Sequence, residues 1–335
     1  QDLIVATQGR SFWILDDLTP LHQLTPKISK QSVHLYKPGD TFRMRGGRWR
    51  SSGGSLGQNP PAGVVVQYYF KETPEEEVML EFRERNGNVI KTFTSKQKEN
   101  IASQSFLGRG DRGETVPTEA GMNRFIWNMR YPDAKSVPKA IMWSGVLTGP
   151  QAVPGEYEVL LKMGDIEKSQ MFTIKGDPRL ETTQADYQEQ FDFLMTINDK
   201  VTEVHTAINT IRDVRKQVKT MAKRANESAA DIKEAAKALN EKLTAIEEEL
   251  IQTKSKSRQD PLNYPIKDNN KMAALTGVVM GANARPTDQA YDVYEILASR
   301  VNKQLAKLDD VLDQDVPAFN RVVRENDIPA VSIEE

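Results

Sequence analysis

Nucleophilic, acid–base and metal chemistry each need particular side chains, and this chain of 335 residues offers few of them. It has no cysteine, which excludes thiol nucleophiles, disulfides and cysteine-bound zinc. It has three histidines, His22, His34 and His205. His22 and His34 are not spaced as a zinc pair on one helix, and no H-E-x-x-H occurs. His205 lies on an apolar helical stripe and reads as a core histidine. No phosphate-binding P-loop is present. Gly108-Arg109-Gly110-Asp111-Arg112-Gly113 fits the spacing G-x-G-x-x-G, but Pro117 and Gly121 interrupt the helix that a dinucleotide site requires next. The same stretch holds an Arg-Gly-Asp tripeptide, an adhesion sequence in some settings, and reads as a loop between strands. Asp16-Asp17 offers oxygens to calcium, although two adjacent carboxylates do not make a site and a strand end accounts for them.

One cluster has the composition of a ligand site. Arg43, Arg45, Arg48 and Arg50 surround Trp49 in a Gly/Ser-rich segment. Guanidinium groups bind anionic oxygens through charge-assisted bonds, and an indole offers a stacking face. These five residues are the candidate ligand- or anion-binding set; the alternative is a linker whose arginines pair with acidic surface. No residue qualifies as catalytic, cofactor-binding or metal-ligating, and no cofactor is expected.

The elements that must position these residues divide by composition. Residues 63–178 read as strands. Gly63 to Lys71, Glu77 to Arg83 and Val89 to Phe93 are strand-like, with an Asn86-Gly87 hairpin turn whose two central residues are expected at positive φ. Phe125, Trp127 and Met129 share one face of a further strand, and two more strands flank Gly164-Asp165. Several short strands joined by turns predict an immunoglobulin- or fibronectin-like β-sandwich. Residues 179–335 read as helices. Apolar positions from 191 to 221 recur every three or four residues, with Thr183 as N-cap and Asp186 in the first turn. Ile232, Ala236, Leu239, Leu243, Ile246 and Leu250 repeat as a heptad-like seam. A short helix spans about Met272–Met280, and a third long helix starts at Pro286-Thr287-Asp288 with Tyr294, Leu297, Val301, Leu305, Leu308 and Leu312 as its stripe. Three such stripes bury one another as an antiparallel bundle. Residues 26–62 read as linker or loop.

Residues 1–25 stand apart. Leu3-Ile4-Val5-Ala6-Thr7 and Phe12-Trp13-Ile14-Leu15 are two apolar strands around the turn Gln8-Gly9-Arg10-Ser11. A lone hairpin is marginal in water and its edges invite pairing. This pair is therefore expected to end a sheet whose other strands lie elsewhere; padding of the neighbouring sandwich is the alternative.

The run from Asp2 to Leu21 resembles the closing strands of bacterial BNR-repeat β-propellers, exported proteins similar to the sortilin propeller and often labelled glycosyl hydrolase. The resemblance continues through Asn59-Pro60-Pro61-Ala62-Gly63, Gly121 to Pro132, Gly149-Pro150, Val153-Pro154-Gly155-Glu156-Tyr157 and Gly281 to Thr287. The S-x-D-x-G-x-T-W box of the repeats themselves does not occur. The resemblance implies a C-terminal part of a longer protein, exported to the periplasm, cell surface or medium, with the rest of the propeller as its partner in the same or another chain. The absent catalytic motifs and the order of the modules favour a non-catalytic scaffold or interaction region with a protein or glycan partner. The alternatives are part of a glycoside hydrolase whose active site lies in the missing propeller, or a carbohydrate-binding module using Trp49 and the arginines.

Overall properties limit the partners. A formal net charge of −2 argues against a dedicated nucleic-acid binder. No run of 18 apolar residues is present, so no membrane span is expected. The start, Gln1-Asp2-Leu3-Ile4-Val5, does not read as a signal peptide.

Overall fold

The computed structural model describes residues 2–15, 17–44, 61–96, 114–225 and 230–326. The strands precede the long helices. The described residues form two units, one of those up to 132 together with 149–191, the other of 133–148 together with those from 192 onward.

The first unit begins with β1 (Leu3–Ala6) and β2 (Phe12–Leu15), which among the described residues pair only with each other. A five-residue helix, α1 (Thr19–Gln23), follows. Its Gln23 side chain accepts from the Lys37 amide and donates to the Lys37 carbonyl, both at 2.9 Å, as a backbone partner would. Two sheets form the body of the unit. One has the antiparallel order β3 (Val33–Leu35), β5 (Val64–Phe70), β8 (Gly121–Trp127). The other has the order β4 (Thr41–Phe42), β10 (Ile166–Lys175), β9 (Gly155–Met163), β6 (Val78–Glu84), β7 (Val89–Thr94), antiparallel except for β4 beside β10.

Period-two patterning explains the core between them. β5 buries Val64, Val66, Tyr68 and Phe70, and β6 buries Val78, Leu80 and Phe82. Phe82 stacks on Trp127 with ring centroids 4.5 Å apart. The buried Tyr68 hydroxyl is satisfied by the Pro117 carbonyl at 2.7 Å, and Trp127 Nε1 donates to the Arg130 carbonyl. A turn forms at Asn86-Gly87, but only Gly87 takes positive φ, +92°, and not Asn86 as the two-residue turn requires; the loop closes between Glu84 and Asn88 instead. Gly149 is required for another reason: a Cβ there would sit 2.2 Å from the Tyr131 carbonyl oxygen.

Two expectations for this region change. Residues 26–62 are not only linker, because β3 and β4 add to the two sheets. With lengths of three and two residues they are too short for an alternating pattern to show. The strand expected to reach Met129 ends at Trp127 because Met129 takes φ +59°, although its side chain stays in the core.

The second unit is helical. α2 (Gln184–Arg224) starts at a reciprocal cap: the Thr183 amide and hydroxyl bond Asp186 Oδ2 at 2.9 and 2.6 Å, and the Asp186 amide bonds Thr183 Oγ1. The division between units falls inside this helix, after Phe191. α3 (Ala230–Leu250) buries all six residues of the predicted seam, from Ile232 to Leu250. α4 (Asp268–Val279) and α5 (Asp288–Asp310) follow, and a π turn at Val311–Asp315 leads to α6 (Val316–Glu325). Pro317 has no N–H to continue the α-helical ladder, so the third long helix is interrupted there.

The helical unit also takes in residues 133–148, which the sequence reading placed with the strands. Val137 enters the core built on Val204, Ile208, Leu243 and Val301, and Ala134 enters the core built on Leu194, Ile197, Met272 and Leu297. This segment has neither helical nor strand periodicity, so its allegiance is invisible in the sequence. No helix among the described residues is long and apolar enough to cross a membrane.

Candidate functional site

The most unusual surface of the first unit is the β1/β2 hairpin. Its register sets Leu3 opposite Leu15, Ile4 opposite Ile14, Val5 opposite Trp13 and Ala6 opposite Phe12. The turn closes with the Thr7 amide and hydroxyl both donating to the Ser11 carbonyl, while Gly9 and Ser11 take positive φ. Alternation therefore puts Leu3, Val5, Trp13 and Leu15 on one face and Ile4, Ala6, Phe12 and Ile14 on the other. Both faces are apolar and both are open: Leu3, Ile4, Val5, Phe12, Trp13, Ile14 and Leu15 are each 44–71% exposed.

Strands that are apolar on both faces are the kind covered on both faces in folded sheets. Seven half-exposed large side chains leave on the order of 5–10 kcal/mol of burial unrealised. Surfaces of this kind mark interaction sites. The hairpin's base is fixed. Asp17 accepts from the Thr19 amide and from Gln67 Nε2 of β5, and its own amide donates to Asp2. Asp17 thus organises the chain leaving β2 rather than a cation; Asp16 lies outside the described residues. Among the described residues no group of three or more acidic or histidine side chains is placed to hold a metal ion.

Of the arginine–tryptophan cluster, only Arg43 is among the described residues; Arg45, Arg48, Trp49 and Arg50 lie outside them, as does the stretch Gly108–Gly113. Arg43 is buried in the first unit. Its guanidinium donates to Gln190 Oε1 at 2.9 Å and to the Ala152 carbonyl at 3.2 Å, and lies over the Tyr187 ring. Burial pushes it down to about 10. Arg43 therefore ties the start of α2 to the strands. The sequence reading grouped it with its neighbours as a candidate anion-binding residue, and nothing in the sequence separates it from them.

The histidines are placed as structural groups. His205 is fully buried, with Nδ1 2.5 Å from the Lys135 carbonyl and Nε2 3.3 Å from Asn269 Nδ2, and burial pushes it below its ordinary value. His34 Nδ1 bonds Gln31 Oε1 at 2.9 Å, and His22 is exposed on α1.

One open cleft in the first unit brings together groups that sequence reasoning did not. Glu84, Arg85, Glu156, Tyr131, Tyr157 and Phe191 line a cavity of about 610 Å³. The Tyr131 hydroxyl donates to Glu84 Oε1 at 2.5 Å, and Asn86 and Asn88 donate to its other oxygen. The Tyr131 bond leads these donors in holding the Glu84 carboxyl below its usual range, the reverse of what a general acid needs. Arg85 pairs with Glu156. Tyr131 meets Phe191 edge-on at 4.7 Å. The cleft is equipped to hold hydroxyl groups beside an aromatic wall. Its members are scattered over four elements, so no local motif announces it.

The chain matches no protein-family model, no curated protein and no solved structure.

Proposed function

We propose that this chain is a non-catalytic scaffold and interaction region of an exported β-propeller protein, with β1 and β2 completing the last blade. In this reading the two-sheet unit is an immunoglobulin- or fibronectin-like sandwich and the helical unit an antiparallel bundle. The observation that carries it is the hairpin: two paired strands, apolar and exposed on both faces. Propeller blades are stacked radially around a central channel, so a blade's strands are covered on both faces, which suits this pattern. The occupant of the hairpin is therefore a β-sheet with an unpaired edge and apolar faces, carried by the same polypeptide or a partner.

The mass and N-terminal sequence of the protein isolated from its source test this. The expected result is additional strand-forming sequence, covalently attached or tightly bound, found in the exported fraction. A native protein that starts at Gln1, runs alone as a monomer and keeps the hairpin in solvent would overturn it.

The cleft beside Tyr131 supports a second reading, a glycan-binding module that does not hydrolyse its ligand. Titrating neutral oligosaccharides into the purified chain checks it: Phe191→Ala should weaken binding, and no aryl glycoside or sialoside should be turned over. Turnover lost in Glu84→Gln would show a hydrolase instead.

A further inference from the structure

A second cavity, of about 360 Å³, lies wholly within the helical unit. Arg212 and Arg215 of α2, Glu247 of α3, Lys139 and Ser255 are among its lining residues. Glu247 is the organising group. Its side chain is only 4% exposed, and it accepts from Arg212 Nε at 2.7 Å and from Arg215 Nη1 at 2.5 Å. A carboxylate buried beside two guanidinium groups is consumed by them, and in return it fixes the direction of both. The forks are held further: Arg212 Nη1 donates to the Pro138 carbonyl and Arg215 Nε to Asn240 Oδ1. No bond is drawn from either Nη2 among the described residues, so each arginine keeps donors to spare.

Two further observations point to a ligand. Ser255 Oγ is buried without a hydrogen-bond partner among the described residues, which costs free energy unless something else supplies the bond. Lys139, on the rim, holds its backbone at φ +61°, a conformation rare for a side-chain-bearing residue and concentrated at binding sites. Three cations and two carboxylates, Glu247 and Glu248, line the cavity. The lining therefore carries one positive charge in excess, with Glu247 already bonded to the two arginines.

We propose that this cavity binds a tetrahedral oxyanion, a phosphate or sulfate group, through Arg212, Arg215 and the Ser255 hydroxyl. Its volume exceeds that of the free ion and falls in the range of small-molecule sites, so the anion is carried on a small organic body.

Isothermal titration of the full chain with inorganic phosphate, inorganic sulfate and a phosphomonoester such as phosphoserine tests this. Saturable binding that weakens with added salt is expected, tightest for the ester; equal affinity for inorganic phosphate would support the site with the ion itself as ligand. Ser255→Ala removes an unpaired hydroxyl and so leaves the fold intact, and should lower affinity roughly tenfold. Arg215→Lys keeps a cation beside Glu247 but loses the fork, and should lower it at least as much. Circular dichroism confirms that both variants are folded. No saturable binding of any of the three anions, or binding unchanged in both folded variants, would overturn the proposal.

Discussion

The pairs β1/β2 and β5/β8 are both antiparallel, both rich in β-branched and aromatic residues, and live in opposite environments. β5 buries every second residue, from Val64 to Phe70, and β8 sends Phe125 and Trp127 into the same core. β1 and β2 are exposed at every position. Both pairs form their mutual ladder, but β5 also pairs with β3 and its sheet meets a second layer, whereas β1 and β2 have neither among the described residues. The comparison shows that apolar pattern dictates strands, while the partner surface decides whether those strands pay back their ordering entropy.

Four predictions sharpen or break this contrast between covered and uncovered groups. The largest uses the same residue type in both places. Trp127→Ala should cost about 3–5 kcal/mol of stability by chemical denaturation, because it empties the stacked core beside Phe82. Trp13→Ala should change the stability of the chain alone by less than about 0.5 kcal/mol. Comparable losses from both would mean that the hairpin is already covered.

The next prediction extends the contrast to charge. Glu247→Gln should cost roughly 2–3 kcal/mol, less than a fully buried pair because its arginines are about a third exposed. Opening the exposed Arg85–Glu156 pair should cost about 0–1 kcal/mol. Denaturation midpoints of the two variants compare them directly.

A smaller effect is expected at the start of α2. Thr183→Ala removes the reciprocal bonds with Asp186 and should cost about 1 kcal/mol, read as a lower melting temperature.

The smallest prediction is a pH slope. His205 is held below its ordinary value by burial, so the unfolded chain takes up its proton first as pH falls. Its contribution is fully present above the unfolded value near 6.5 and is lost as pH drops below it. Melting temperatures measured from pH 7.5 to 5 should fall in the wild type, and the His205→Gln variant should show a shallower slope over the same range.

Much of this fold is legible in the sequence because periodicity reports which side chains share a face. The seam from Ile232 to Leu250, the Thr183 cap and the position of the Asn86-Gly87 turn all follow from local rules. What escaped is non-local. β3 and β4 are too short to carry a pattern, and Ala134 and Val137 enter helical cores from a segment with none. The site residues were least legible. Arg43 sits among arginines yet is buried against Gln190, and Arg212, Arg215 and Glu247 look like ordinary solvated helix charges until α2 and α3 are packed together.

The central claim is that β1 and β2 belong to a larger sheet. Hydrogen-exchange mass spectrometry of peptides covering residues 3–15 tests it most directly, run on this chain as a monomer and on the native protein from its source. A two-stranded hairpin without a second layer opens readily, so exchange in the isolated chain should be fast. In the native protein the same amides should be protected to the level of β5. Equally fast exchange in both, with β5 protected throughout, would contradict the account.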